Sequence, residues 1–532
     1  MKRSAVLALL IVAAFTCACG DDVAPTDGGG PDARLDTGSP LPPPTPGIAQ
    51  TEVGEARGTR EGDAWVFRGI PFAAPPVGDL RWRAPEPPEP SAIPFDADTF
   101  GSNCVQIDNT GVVVGEEDCL SLNVWTPAVL DDGPLPVMVH FHGGDNIVGS
   151  GSEALYDGRY VVENHRVLTV TVNYRLGPFG FLAHPSLAAE NAAGASGNYA
   201  LMDLIAALEW LQRNIGAFGG DPGRVMIYGY SAGSSNVCAL VASPLAAGLF
   251  SSAITQSGFC VPHRESLVES TALRAIEALS CDSATDIAAC LRGRSAEDVA
   301  GVPGGSLFEL HADADYYVSV DGLVLTEPPL DTFLRGAQNQ VPLIAGTTAD
   351  EYLYLLDLLS VPPLETDAEY QAHLRATVDD ELATFLLMHY ASADYPTPRH
   401  AYSAILGDAQ HHCPARTRLR NLANSQAAPV FRYVFAASTG AGHSQDVPFV
   451  FHNFGSSSRT PDELALSDTI IGYFVRLAAT GDPNGDGAVP WAPYDPARDN
   501  MLLLRDVEDL TEIDGFRSAQ CDAFEARAAM AP

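Results

Sequence analysis

The chain has 532 residues and a formal net charge of −37, from 67 Asp and Glu against 30 Lys and Arg. Its one lysine is Lys2, which excludes a Lys Schiff base, a Ser-Lys dyad or a phosphate-loop lysine from the body of the protein. The acid excess argues against nucleic acid, whose phosphates need clustered cations, and 46% hydrophobic with 18% charged residues describes a folded globular protein.

The elements begin with Lys2-Arg3 and an apolar run from Ala5 to Phe15. That run is too short to span a bilayer and fits a signal-peptide core. Thr16-Cys17-Ala18-Cys19-Gly20 follows and resembles a bacterial lipoprotein cleavage site, with Thr16 where an aliphatic residue is preferred. Residues 1–18 are therefore read as a signal peptide and Cys19 as the candidate lipidated residue, giving membrane attachment through a lipid. Ordinary secretion with cleavage nearby is the alternative. The expected locations are the periplasm, the outer membrane or the medium. Residues 19–47 are Asp/Gly/Pro-rich and read as a disordered tether. Residues 48–532 are expected to form one domain. Cys17 and Cys19 aside, eight cysteines remain: Cys104, Cys119, Cys238, Cys260, Cys281, Cys290, Cys413 and Cys521. None has a CxxC spacing, so no zinc cluster is expected, and counting alone cannot choose the pairs.

Ala64–Phe67, Leu122–Trp125, Val137–Phe141 and Val167–Val172 read as strands. From Ala200 to Asn214 apolar residues recur at helical spacing (Leu201, Leu204, Ile205, Leu208, Leu211), which predicts a helix on a core. Gly219-Gly220-Asp221-Pro222 predicts a turn, Val225–Tyr228 a strand, and Ala232 the start of another helix. The alternation of strand and helix predicts an α/β fold with a mostly parallel sheet.

Between that last strand and helix stands Gly229-Tyr230-Ser231-Ala232-Gly233. A GxSxG here demands a very tight turn, with glycines where neighbouring backbone comes close. The turn exposes the Ser231 hydroxyl and turns the Ala232 N–H toward a developing oxyanion. Phe141-His142-Gly143-Gly144-Asp145-Asn146 follows an earlier strand, and its glycines suit an oxyanion loop.

Further blocks carry a family resemblance. Phe67–Ala73, Glu117-Asp118-Cys119-Leu120, Asn173-Tyr174-Arg175-Leu176-Gly177, Gly197–Asp203 and Phe218–Pro222 together resemble the type-B carboxylesterases, the α/β-hydrolase group that includes the cholinesterases. The resemblance covers Glu52 to Cys521. It implies an α/β-hydrolase fold with a large, mostly parallel sheet and helical insertions around an active-site gorge. It makes Ser231 the nucleophile, Glu351 in Ala345–Glu351 the triad acid, and His443 in Gly442–Phe451 the base. The residues alone could not have chosen His443 among 13 histidines; His411 and His412 are its rivals, and Asp350 is the rival of Glu351. Gly144, Asp145 and Ala232 would supply the oxyanion hole, and Ser257 a supporting hydroxyl. The implied disulfides are Cys104–Cys119, Cys281–Cys290 and Cys413–Cys521, with Cys238 and Cys260 left either as a pair or as thiols.

The implied reaction is ester hydrolysis through an acyl-enzyme on a small-molecule ester, with no metal or cofactor. Three departures shape the expected substrate. Asp145 stands where the family usually has a third Gly, and its side chain is expected to turn away from the oxyanion. Tyr230 replaces the usual Glu before the nucleophile. The loop between Cys104 and Cys119 contains no aromatic residue, so the ring on which choline would stack is missing. Small neutral or aromatic esters are expected in preference to choline esters. A lipase or detoxifying esterase of the same fold is the nearer alternative, and a non-catalytic binding or adhesion module the more distant one. Asp482–Gly487 begins like a calcium loop, but position 12 is Pro493, so no metal is expected there.

Overall fold

The computed structural model describes residues 45–130, 133–262, 265–302, 316–438 and 440–529. The expected signal peptide, Cys19 and residues 19–44 of the expected tether lie outside them. Residues 45–47 are described. Thr45 bridges to Ile48, and Gly47 is buried under the Trp65 ring, where a Cβ would stand 2.7 Å from it. Apolar burial against Trp65 outweighs the local Pro/Gly signal at residues 45–47.

Eleven strands form one sheet. They are β1 (Thr59–Glu61), β2 (Ala64–Pro71), β3 (Ser121–Pro127), β4 (Leu135–Phe141), β5 (Leu168–Val172), β6 (Gly220–Tyr230), β7 (Ser252–Gln256), β8 (Leu343–Thr348), β9 (Val430–Phe435), β10 (Asn500–Leu504) and β11 (Thr511–Asp514). Their spatial order is β1-β2-β3-β5-β4-β6-β7-β8-β9-β10-β11. From β5 through β10 every neighbouring pair is parallel; the outer pairings at both edges are antiparallel. Central strands of this kind must be apolar on both faces, and all seven residues of β4, LPVMVHF, are buried.

The sheet is covered on both sides. Val137, Val139 and Phe141 face a core shared with α1 (Tyr199–Asn214), α2 (Ala232–Ala242) and α3 (Cys413–Ser425). The alternate residue Met138 joins Met226 and Tyr228 under α4 (Pro461–Thr480). The helix expected at 200–214 is α1. It buries Leu201, Leu204, Leu208 and Leu211 completely, roughly 1.5–3 kcal/mol for each side chain. Its buried Asp203 holds Arg175 by two hydrogen bonds of 2.8 and 2.6 Å. The turn expected at 219–222 is instead taken into β6, whose register breaks between Gly220 and Val225: Gly219 makes the turn at φ 89°, and Gly220 already pairs with Leu135.

The disulfides Cys104–Cys119, Cys281–Cys290 and Cys413–Cys521 form as expected, and Cys238 pairs with Cys260. Among the described residues no helix is long and apolar enough to cross a membrane.

Candidate active site

The residues singled out in the sequence converge on the carboxyl ends of four parallel strands: the Gly143–Asn146 loop after β4, Ser231 after β6, Glu351 after β8 and His443 after β9. Such a crevice is where α/β sheets bind ligands.

Ser231 sits between β6 and α2 at φ 53° and ψ −125°, left-handed backbone that a non-glycine residue adopts only when its surroundings force it. Those surroundings are close. A Cβ on Gly229 would stand 2.7 Å from the Phe141 carbonyl oxygen, and one on Gly233 would collide with the same atom. The Ser231 N–H is held by the Gln256 carbonyl at 2.9 Å. Ser231 itself is 7% exposed.

The Glu351 carboxylate and the His443 imidazole meet directly. His443 Nδ1 lies 2.8 Å from Glu351 Oε2. The other carboxylate oxygen accepts the Ser257 hydroxyl at 2.6 Å and the Thr348 N–H at 2.8 Å. Burial would push this carboxyl up. The imidazoles of His411 and His443 and the hydrogen bonds from His443 and Ser257 outweigh that, and hold it well below the usual carboxylate range. For His443 the balance runs the other way. Burial favours the neutral ring, but the hydrogen bond and charge of Glu351, with Asp145 and Asp446, raise it above the ordinary imidazole value. Ser257 follows β7, which lies between β6 and β8 in the sheet, so this strand end links Ser231 to the Glu351–His443 pair.

The rivals fall elsewhere. The Asp350 amide donates to the Ala441 carbonyl at 2.9 Å, and no hydrogen bond among the described residues joins its carboxyl to His443. His411 and His412 are buried on a π-helical turn, Asp408–His412. His411 nevertheless adjoins the site, with its ring centroid 5.3 Å from that of His443. His412 turns to the Thr347 hydroxyl at 2.9 Å. Donor atoms of Glu351, His411 and His443 come within 4.8 Å of one another. Glu351 is already committed to His443, Ser257 and the Thr348 amide, so we read this as a hydrogen-bonded cluster and not as a cation site. In the Asp482–Gly487 segment the Asn484 side chain is tied to the Trp491 backbone at 2.8 and 2.9 Å.

The loop after β4 runs through residues of positive φ. Gly144 takes φ 103° and Asp145 φ 52°; at Gly144 a Cβ would strike the Val148 carbonyl. The Asp145 carboxyl is 8% exposed and interacts electrostatically with His443, Tyr317 and Tyr352. The expected turn away from the oxyanion therefore does not carry it to solvent. Burial raises it to about 7, against the pull of His443.

Sequence reasoning missed the supports of the histidine loop. Asp446 accepts hydrogen bonds from Gln256 at 2.8 Å and from the Tyr433 hydroxyl at 2.6 Å, three residues beyond His443. These partners come from three separate strands or loops, and no local pattern announces them. The cluster as a whole brings a serine hydroxyl, a buried carboxylate–imidazole pair and a glycine loop to one end of the sheet, the parts required for acyl transfer.

Comparison with known proteins agrees with this chemistry. The model described as "Carboxylesterase family" matches residues 45–524. The chain is 37% identical over 471 residues to fumonisin B1 esterase of Sphingopyxis macrogoltabida, covering 84% of each protein. It is 34% identical over 481 residues to para-nitrobenzyl esterase of Bacillus subtilis (strain 168), covering 86% of this chain and 94% of that one. A solved structure of PNB esterase superposes with a TM-score of 0.76 at 32% identity, over 90% of this chain and all of the other.

Proposed function

Since this chain belongs to the carboxylesterase family and is a carboxylic ester hydrolase, we propose that Ser231, His443 and Glu351 are its catalytic triad. The observation that carries this is the 2.8 Å contact from His443 Nδ1 to the buried Glu351 carboxylate, beside a serine held at φ 53°. His443 Nε2 takes the hydroxyl proton as Ser231 Oγ attacks the ester carbonyl. The Gly144, Asp145 and Ala232 amides receive the oxyanion. His443 then returns the proton to the leaving alcohol, and water repeats the attack on the acyl-enzyme. Glu351 fixes the tautomer and stabilises the imidazolium. Ser231→Ala should lower turnover of p-nitrophenyl acetate by about 10³-fold or more; a variant that keeps its rate overturns the assignment.

Small neutral or aromatic esters remain the favoured substrates. The Cys104–Cys119 loop offers no aromatic ring to a cation, and Tyr230 brings a phenol in place of an acid. A panel of acyl and alcohol groups tests this, with choline esters the poorest members expected.

We further propose export, with residues 1–18 removed and Cys19 lipidated. Loss of Lys2 and Arg3 would take the charge from −37 to −39 and leave a lysine-free mature protein. A Cys19→Ala protein should leave the membrane fraction; one that stays there refutes the anchor.

A further inference from the structure

Gly143 and Gly144 have to present their amides in one orientation, yet a glycine has no side chain of its own to hold it. Two phenols supply the hold. The Tyr174 hydroxyl donates to the His142 carbonyl at 2.8 Å. At the other end of the same peptide the Gly143 backbone lies against the Tyr230 phenol, whose oxygen feels the Gly143 N–H dipole. The Tyr230 ring lies against Gly143 so closely that a Cβ there would stand 2.8 Å from Cε2 and Cζ. The Tyr230 oxygen is anchored in turn by the Tyr156 hydroxyl at 2.9 Å, and the ring runs parallel to that of His140, 6.1 Å away. β6 and β4 set this up: Gly229 pairs with Phe141, which brings Tyr230 beside His142 and Gly143.

A peptide unit is planar, so a hold on its carbonyl and on its amide fixes its plane. The next unit is fixed as well, by His142 Nδ1 on the Gly143 carbonyl at 2.8 Å. That carbonyl and the Gly144 N–H belong to one plane and point opposite ways, so the direction of the Gly144 donor follows from the two clamped units.

We propose that Tyr230 is a positioning residue of the oxyanion hole, clamping the His142–Gly143 peptide against Tyr174 and so aiming the Gly144 and Asp145 amides. The proposal rests on the reading of those amides as oxyanion donors given above. The phenol suits the task because burial keeps it un-ionised, pushing it up to about 12. A carboxylate at the same position would bring a charge close to the developing oxyanion.

The test uses the full chain and the variants Tyr230→Phe, Tyr174→Phe and the double variant. Each phenylalanine keeps the ring packing and removes only the oxygen. Each single variant should lower kcat for p-nitrophenyl acetate by about tenfold with KM almost unchanged, and slow inactivation by a neutral fluorophosphonate in parallel, because both depend on the oxyanion donors. Thermal midpoints should barely move. Both phenols act on one peptide, so the double variant should lose less than the product of the single losses. Tyr230→Phe with wild-type kcat, or losses that simply multiply, overturns the clamp. Should Tyr230→Phe fold poorly, Tyr156→Phe frees the same oxygen and must lower kcat in the same direction; unchanged kcat in that variant also overturns it. Ser231→Ala run alongside separates the two ideas. Turnover that survives it overturns the reading of the site, whereas Ser231-dependent turnover indifferent to Tyr230 overturns only the clamp.

Discussion

Asp145 is the residue at which the electrostatics of the site pull in two directions. Its amide is a proposed oxyanion donor, and its carboxyl is buried within the influence of His443. That carboxylate favours the imidazolium and so adds to what Glu351 does from the other side. With His443 as the proposed base, the ring must be neutral before attack, so activity should be lost as pH falls through a value above the ordinary 6.5. Asp145→Asn removes one of the charges that raise His443. The acid limb of kcat/KM should therefore move to lower pH, read from a pH–rate profile with p-nitrophenyl acetate; an unmoved or upward-shifted limb refutes the coupling. The site's individual residues were unequally legible. Ser231 announces itself by its two glycines. Glu351 and His443 were found only through flanking blocks that resemble a known family, because a lone acid or histidine carries no local mark of its role. His411 looked like a rival to His443 and proves to be its buried neighbour, a relation no spacing could have given.

The nucleophile elbow is the element where sequence and structure agree most closely. Its glycines are required by contacts that are short in the chain or lie across one strand pair. A Cβ on Gly233 would collide with the Phe141 carbonyl, which belongs to β4 and leads straight into the oxyanion loop. Gly233→Ala should therefore push β4 and α2 apart and lower kcat by about 100-fold or more, a loss comparable to that of an oxyanion donor. Wild-type turnover in that variant would show that the turn has room to spare. The helices and central strands were legible for a similar reason: their apolar periods, 3.6 in α1 and continuous in β4, are properties of a few adjacent residues. The exceptions lie where a distant partner decides. Gly220 is drawn into β6 by Leu135, and Gly47 is drawn onto Trp65, though both segments read locally as loop.

Over the whole molecule, the catalytic geometry depends on strand order. β4, β6, β7, β8 and β9 are neighbours in the sheet although their residues run from 135 to 435, and this adjacency brings four loops to one crevice. The Cys413–Cys521 bridge spans 108 residues and ties the start of α3 to α5 (Ser518–Ala529). In the chain-entropy view such a loop is worth about 4–5 kcal/mol. The double variant Cys413→Ala/Cys521→Ala should lower the unfolding free energy by roughly that amount in urea titrations, while keeping most of its kcat; equal stability would show that packing of the two helices suffices without the bond. Composition and local pattern were enough for the acid excess with its single lysine, the class of fold, the elbow and, through resemblance, the family and its chemistry. These follow from composition and from patterns confined to short segments. Tertiary packing was needed to settle which carboxylate meets which imidazole, that Cys238 pairs with Cys260, that Asp145 is buried and that two phenols lie against the glycine loop. Each of those contacts joins residues separated in the chain, and their distances are set by how strands stack side by side in the sheet.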